Sequence, residues 1–162
     1  SVSKTLGLES LRDLTWSMLE QSRGQLDDLS FLCAEHVVRE NERTLNFVQY
    51  MKNSDWLQAG EMLYQSHASL REKFQVSCVE LDGLVEFARE LGPEGGVLGA
   101  RMTGAGFGGS VIVLAEREKA SNMVSKIVED YNHIGATLAR PRASGFVAEP
   151  TAGANVTRFI VG

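Results

Sequence analysis

The stretch T-G-A-G-F-G-G-S-V-I-V-L-A-E, residues 103–116, decides how this chain is read. Gly104, Gly106 and Gly109 satisfy G-x-G-x-x-G, the spacing of a dinucleotide-binding turn. Val111, Ile112, Val113 and Leu114 follow at once, a β-branched run where that fingerprint requires a helix. A Rossmann turn therefore fails on its second flank. A Walker A loop fails too, because Ser110 stands where the lysine belongs. Gly104, Gly106, Gly109 and Val111 also fit G-x-G-x-x-G-x-V, the glycine loop of protein kinases, which does lie between two strands. The V-A-I-K, H-R-D and D-F-G elements of such a kinase are absent, and too few residues follow to supply them. Two readings stay open: a tight turn needed for backbone geometry alone, or a loop shaped by what packs against it. Four glycines in the six positions 104–109 exceed what a hairpin turn needs. Without Cβ atoms, successive N–H groups can converge on an anion or a neighbouring backbone.

The 162 residues suffice for one domain with a real core, and 43% hydrophobic and 23% charged residues are ordinary for a globular chain. A formal net charge of −5 argues against a nucleic-acid surface, since such binders concentrate Lys and Arg. No apolar run reaches the roughly 18 residues of a membrane span. Cys33 and Cys78 have neither a disulfide framework nor metal-type spacing and read as buried small hydrophobes, which fits a reducing compartment and a cytoplasmic location. The chain begins with Ser1, without an initiator methionine or a basic-then-apolar leader, and is expected to be a processed or excised part of something longer.

The periodicity divides the chain into a helical part, about residues 8–91, and a glycine-rich α/β part, about 92–162. Leu8, Leu11, Trp16 and Leu19 predict a helix to about Arg23, with Gly24 as its stop. Leu26, Leu29, Cys33, Val37, Leu45, Val48 and Met51 predict a long amphipathic helix over about 26–51. Ser54 or Asp55 can cap a third helix that ends near Phe74. A fourth runs from about Cys78 to Leu91 and is stopped by Gly92-Pro93. Residues 97–102 read as a strand entering the glycine loop. Residues 110–115 read as a strand leaving it, buried on both faces. A helix is expected over 118–131, with Met123, Ile127 and Val128 inward, and short strands near 144–148 and 155–161. The pattern as a whole is α+β, helices first and then a small, mostly antiparallel sheet.

Other candidate residues carry less. His36 and Glu40 stand at i, i+4, the spacing of a metal pair, but no third ligand is evident and a helical-surface histidine is expected. His67 falls mid-helix and His133 in a loop, neither with a nameable partner. Arg39, Glu42 and Arg43 read as a solvated charged face. Arg101, the basic residue beside the loop, reads as the partner of an acidic helix residue rather than of phosphate. Asp82 reads as structural rather than as a base. No metal site and no catalytic residue is expected within this chain.

The segment G-A-R-M-T-G-A-G-F-G-G-S-V-I-V-L (99–114) closely resembles the third motif of the GHMP small-molecule kinases in the form seen in the galactokinase family, to which Arg101-Met102-Thr103 and Phe107 point. S-H-A-S-L-R-E-K-F-Q-V-S-C-V-E-L-D-G-L-V (66–85) resembles that family's S-H-x-S-L-R-D-D-Y-x-V-S-C-P-E-L-D segment, and E-H-V-V-R-E-N-E-R-T (35–44) its H-V-V-x-E-x-x-R-T helix. G-F-V-A-E-P-T-A-G-A-N-V (145–156) is a weaker likeness of the family's closing strand. The chain departs from the pattern at Ala105 and Ser110, usually Gly and Cys, at Glu72-Lys73, an acidic pair in the family, and at Val79, usually Pro.

The resemblance implies the ferredoxin-like carboxy-terminal domain of a two-domain enzyme that moves the γ-phosphoryl of MgATP to the C1 hydroxyl of galactose. The family's G-E-H-T-D-Y and P-x-x-x-G-L-S-S-S stretches, with its catalytic Asp and Arg, belong to an amino-terminal half that is absent here. That half would hold most of the ATP and Mg2+. This chain would supply one wall of the cleft, with Thr103, Gly104, Ala105, Gly106, Phe107, Gly108, Gly109 and Ser110 supporting the phosphates, and Thr103 donating a hydroxyl. Gly106→Val is then expected to abolish turnover of the whole enzyme with this domain still folded. The domain alone is expected to be inactive, and its partners are the amino-terminal half, galactose and ATP, with no nucleic acid and no membrane. The same loop would also serve a galactokinase-like sugar and ATP sensor, a related GHMP sugar kinase, or an independent binding module.

Overall fold

The structure, a computed structural model, describes residues 2–150. A short helix α1 (Val2–Thr5) is followed by α2 (Trp16–Gln21), α3 (Asp28–Lys52), α4 (Trp56–Glu72) and α5 (Val79–Leu91). The hairpin of β1 (Val97–Thr103) and β2 (Ser110–Ala115) comes next, and then α6 (Ala120–Thr137). The architecture is the α+β arrangement anticipated from the pattern: helices packed on a small antiparallel sheet, two-stranded among the described residues. No helix of the described residues is long and apolar enough to cross a membrane.

The helix starts follow their caps. Asp27 accepts the Ser30 N–H to open α3, and Asp55, rather than Ser54, accepts the Gln58 N–H to open α4. Two caps also explain why residues 8–23 are not the single helix expected. Ser10 accepts the Arg12 N–H and opens one 3-10 turn, Leu11–Asp13, and Thr15 accepts the Met18 N–H and opens α2 separately. The last helix starts two residues later than expected and runs to Thr137, so His133 lies on a helix, exposed, and not in a loop.

The expected strand at 144–148 does not form. Asn132 of α6 holds both backbone groups of Ala143 with its amide, at 2.9 and 2.7 Å. Gly145 packs so closely that an added Cβ would sit 2.7 Å from Val124 Cγ1. This segment therefore lies on α6 instead of joining the sheet. The expected strand at 155–161 falls outside the described residues.

Three apolar clusters organise the chain. Val85 and Ala88 of α5, Val97 and Ala100 of β1, and Met123 and Ile127 of α6 form the largest, with Val111, Val113 and Ala115 of β2 packed against it. Leu14, Leu19, Ala34 and Val38 join the amino-terminal turns to α3. Leu70, Leu81 and Met102 join α4, α5 and β1 beside the glycine loop. Contrary to expectation, β2 is not buried on both faces: Ile112 is 47% exposed, because the helices cover one face of the hairpin. Cys33 and Cys78 are free thiols, half-buried rather than buried; Cys78 stands at the mouth of α5 as its N-cap.

The helix α4 meets β1 backbone to backbone. In β1, Val97 pairs with Ala115 and Gly99 with Leu114, so Leu98 is an extra residue, a β-bulge. The displaced Leu98 carbonyl lies against Gly60, where a Cβ would stand only 1.7 Å from its oxygen. A Cβ on Gly99 would stand 2.3 Å from the Gly60 carbonyl oxygen. No larger residue fits either position.

A polar cluster ties the same elements together. Glu40 of α3 accepts from Ser66 of α4, from Arg101 of β1 at 2.8 Å and from Arg43 at 2.9 Å. Burial pushes the Glu40 carboxyl up, but these hydrogen bonds and the two guanidinium charges outweigh it and hold its pKa below the ordinary range. His36 is buried rather than on the helix surface: its ring stacks on Phe74, and Nδ1 lies 2.9 Å from Ser69 Oγ. Burial holds its pKa below the usual value. Arg43 turns inward toward Glu40, so of the expected solvated face only Arg39 and Glu42 pair at the surface.

Gly60→Ala is expected to cost about 3 kcal/mol in urea denaturation, the upper range for overpacking. Gly24→Ala, whose Cβ would meet nothing within 4 Å, is expected to stay within about 0.5 kcal/mol. Stability is also expected to fall on acidification in two stages. His36, kept neutral by the fold, contributes fully above its ordinary 6.5 and loses that contribution as pH falls through its lower folded value. Glu40 contributes fully above its ordinary 4.5 and loses it at still lower pH. Urea midpoints measured from pH 8 to pH 3 check both stages; burial lowers the His67 pKa as well, so His67 shares the first stage and His36→Phe is expected to reduce it without removing it.

Candidate functional site: the glycine loop

The hairpin closes on the pair Thr103–Ser110 and leaves residues 104–109 as its loop. Gly104, Gly106, Gly108 and Gly109 have φ of 93°, 90°, 132° and 109°, and Phe107 has 58°. Such a run of positive φ is open to glycine and costly to other residues, so the glycine count is a backbone requirement. Phe107 is the exception, held in the left-handed region by a specific bond: its N–H donates to the Val76 carbonyl at 2.7 Å.

That bond shows what the loop packs against. The connection between α4 and α5 passes behind it, and a Cβ on Gly106 would lie 2.3 Å from the Val76 carbonyl oxygen. Gly106 is therefore the supported side of the loop, and a valine there would push the loop off Val76. The expectation that Gly106→Val leaves the domain intact is corrected on this ground. Gly104 and Gly108 are the open side, where a Cβ would meet nothing within 4 Å. Phe107 is 74% exposed, while Ala105 and Ser110 are exposed and Thr103 is half-buried.

The charges near the loop are already committed. Arg101 gives Nη1 to Glu40 and Nε to the Met102 carbonyl, as the acidic partner read from the sequence required. Met102, the residue before Thr103, has its N–H taken as well: His67 Nδ1 accepts it at 3.2 Å. His67 is thus the neutral tautomer with its proton on Nε2, which lies 3.2 Å from Asp82 Oδ1 without the alignment of a full hydrogen bond. Burial holds the imidazole pKa below its usual value, and the Asp82 charge opposes that shift. The Asp82 carboxylate accepts the Ser77 hydroxyl at 2.5 Å, so Asp82 has the structural place expected of it.

The eight residues singled out from the sequence are contiguous: six form the loop, and Thr103 and Ser110 are the strand pair that closes it. The supports of that loop were not legible. His67, Asp82, Ser77 and Val76 stand up to 35 residues from their partners, and no local pattern links them. The one hint was Gly106 itself, whose missing side chain required a close neighbour without naming it. Among the described residues no group of three or more His, Cys, Asp or Glu is placed to hold a metal ion, and the His36–Glu40 pair is spent on Ser69, Ser66, Arg43 and Arg101.

The family description "GHMP kinases C terminal" matches residues 47–133, a span that holds α4, α5, the hairpin and nearly all of α6. The galactokinase of Thermotoga petrophila is 44% identical over 138 residues, 85% of this chain and 37% of that protein. The galactokinase of Bos taurus is 37% identical over 158 residues, 98% of this chain and 38% of that protein. A crystal structure of Lactococcus lactis galactokinase complexed with galactose superposes with a TM-score of 0.75 at 32% identity, covering 83% of this chain and 35% of that one. The chain thus spans little more than a third of the length of the curated relatives it matches. The family match covers more than half of the chain, and the chain belongs to the GHMP kinase carboxy-terminal family.

Proposed function

We propose that this chain is the carboxy-terminal domain of a galactokinase, and that its glycine loop forms one wall of the cleft in which ATP phosphorylates galactose at O1. The observation that carries the reading is the two-sidedness of the loop. One side is fastened to Val76, and on the other an added Cβ at Gly104 or Gly108 would meet no atom of the described residues within 4 Å. That open side fits the phosphates of a nucleotide, because phosphoryl transfer asks a protein mainly for positioning and charge stabilisation, and backbone N–H groups supply both at short range. Galactokinase relatives that continue well beyond the matched region support a second half, which this reading places on that open side.

In this reading bound ATP supplies the phosphoryl group, and the chain's own residues orient it. Gly104, Gly106, Gly108 and Gly109 let the loop approach closely, Ala105 and Ser110 add no bulk, and the Thr103 hydroxyl is free to donate. Phe107 presents its exposed ring toward the other half. Among the described residues no group of three or more His, Cys, Asp or Glu is placed to hold Mg2+, and the amino-terminal half would hold it. That half would also bring the catalytic groups, and this domain alone would be inactive.

In the protein that carries this chain together with its amino-terminal half, Gly108→Ala and Gly104→Val are expected to lower kcat/KM for ATP at least about tenfold. A strained φ at one exposed loop position costs only about 1–2 kcal/mol of stability, so both variants are expected to stay folded. Wild-type turnover in both would remove the loop from the site. The purified 162-residue chain, given ATP and galactose, is expected to form no galactose 1-phosphate by enzyme-coupled assay; product above the no-protein blank would place catalytic groups here after all.

A further inference from the structure

We propose that His67, Asp82 and Ser77 are positioning residues: a polar brace, buried at His67 and half-buried at Asp82 and Ser77, that fixes the glycine loop at its entry and at its apex. The brace is a closed circuit. At the entry, the Met102 N–H donates to His67 Nδ1 at 3.2 Å. The other ring nitrogen faces Asp82 Oδ1 at 3.2 Å. The same carboxylate oxygen accepts the Ser77 hydroxyl at 2.5 Å. Ser77 is bonded to Val76, and the Val76 carbonyl holds the apex of the loop through the Phe107 N–H at 2.7 Å. From Phe107 the chain returns through the loop to Met102. Two points of the loop are thereby tied to one helical frame, α4 through His67 and the first turn of α5 through Asp82.

The composition of the circuit supports positioning rather than mere filling. His67 is only 3% exposed and meets β1 at Met102, a member of the apolar cluster with Leu70 and Leu81, a setting in which an aliphatic side chain would bury more apolar surface but leave the Met102 N–H without its acceptor. The imidazole supplies an acceptor for a buried backbone N–H, which a leucine cannot. Asp82 sits in the first turn of α5, where the helix dipole favours its negative charge, and so holds both His67 and Ser77 in orientation. None of the three touches the open side of the loop, so none is a catalytic residue. The inference rests on the loop being part of the kinase site, but the brace itself has a readout that needs no turnover.

The test uses the protein that carries this chain with its amino-terminal half and compares wild type with His67→Leu, His67→Asn and Val38→Ala. The first removes the acceptor. The second returns a carbonyl oxygen near the Nδ1 position. The third opens a cavity in the separate cluster under the amino-terminal turns. Hydrogen exchange followed by mass spectrometry is read on the peptide covering residues 101–110 and on the α3 helix, with kcat and KM for both substrates measured in parallel.

His67→Leu is expected to speed exchange of the loop about five- to tenfold, the worth of one hydrogen bond, with α3 unchanged. It is expected to lower kcat/KM for ATP by roughly ten- to a hundredfold, as a misplacement of about 1 Å can. The KM for galactose should stay near wild type, and His67→Asn should recover most of both losses. Val38→Ala should leave loop exchange unchanged. If His67→Leu does not fold, Asp82→Asn and Ser77→Ala are expected to show the same increase confined to the loop. Unchanged loop exchange, an increase spread equally over α3, or His67→Asn no better than His67→Leu would overturn the brace. A wild-type protein that fails to phosphorylate galactose would overturn the functional reading instead, with the exchange data still deciding the brace.

Discussion

The structure depends on the contact between two backbones, α4 at Gly60 and β1 at Leu98 and Gly99. Ordinary helix-on-strand packing keeps the main chains apart by two layers of side chains. Here there is none, because the facing positions are glycine and the bulge at Leu98 brings its carbonyl outward. Short side chains further along α4 can therefore reach the strand. From Gly60 to His67 the helix rises about 10 Å at 1.5 Å per residue, and from Gly99 to Met102 the strand rises about 10 Å as well. His67 thus arrives opposite Met102, and Ser66 reaches the carboxylate that Arg101 also binds. With larger residues at 60 and 99 the spacing would exceed what a histidine or a serine can bridge.

That closeness links core to site. The strand held against α4 leads straight into the glycine loop, and the same helix end feeds the connection whose Val76 carbonyl supports the loop from behind. The loop is tight on one side and bare on the other because its glycines serve two purposes. Gly106 makes room for this chain's own backbone, whereas Gly104 and Gly108 leave space that none of the described residues occupies. A run of glycines that resembles a phosphate fingerprint is therefore partly a packing feature and partly an open surface.

Much of the fold was legible from residue types alone. The apolar spacing of α3, α4 and α5, the cap at Asp55, and the β-branched run after Gly109 place these elements within a few residues, because each is decided by interactions within one or two turns. The misreadings share a cause. Residues 8–23 contain two competing caps, and 144–148 have strand-like composition but a neighbour, Asn132, that claims their backbone. His36 looked like a surface histidine because its helix is amphipathic, but Phe74, brought in by the end of α4, buries it. In each case a distant partner, or a second cap, overrode the local pattern.

The sequence by itself determined where a glycine loop stands between two strands, that neither a dinucleotide turn nor a protein-kinase loop can explain it, and which family pattern it follows. Those are properties of contiguous residues and their order, so they survive without coordinates. Only the tertiary structure decided which glycines face the chain's own backbone and which face open space, and that a histidine and an aspartate apart in sequence stand beneath the loop. The physical reason is range. Propensity, capping and φ preference act over a few residues, whereas a close backbone approach and a circuit of polar contacts exist only after distant segments have been brought together.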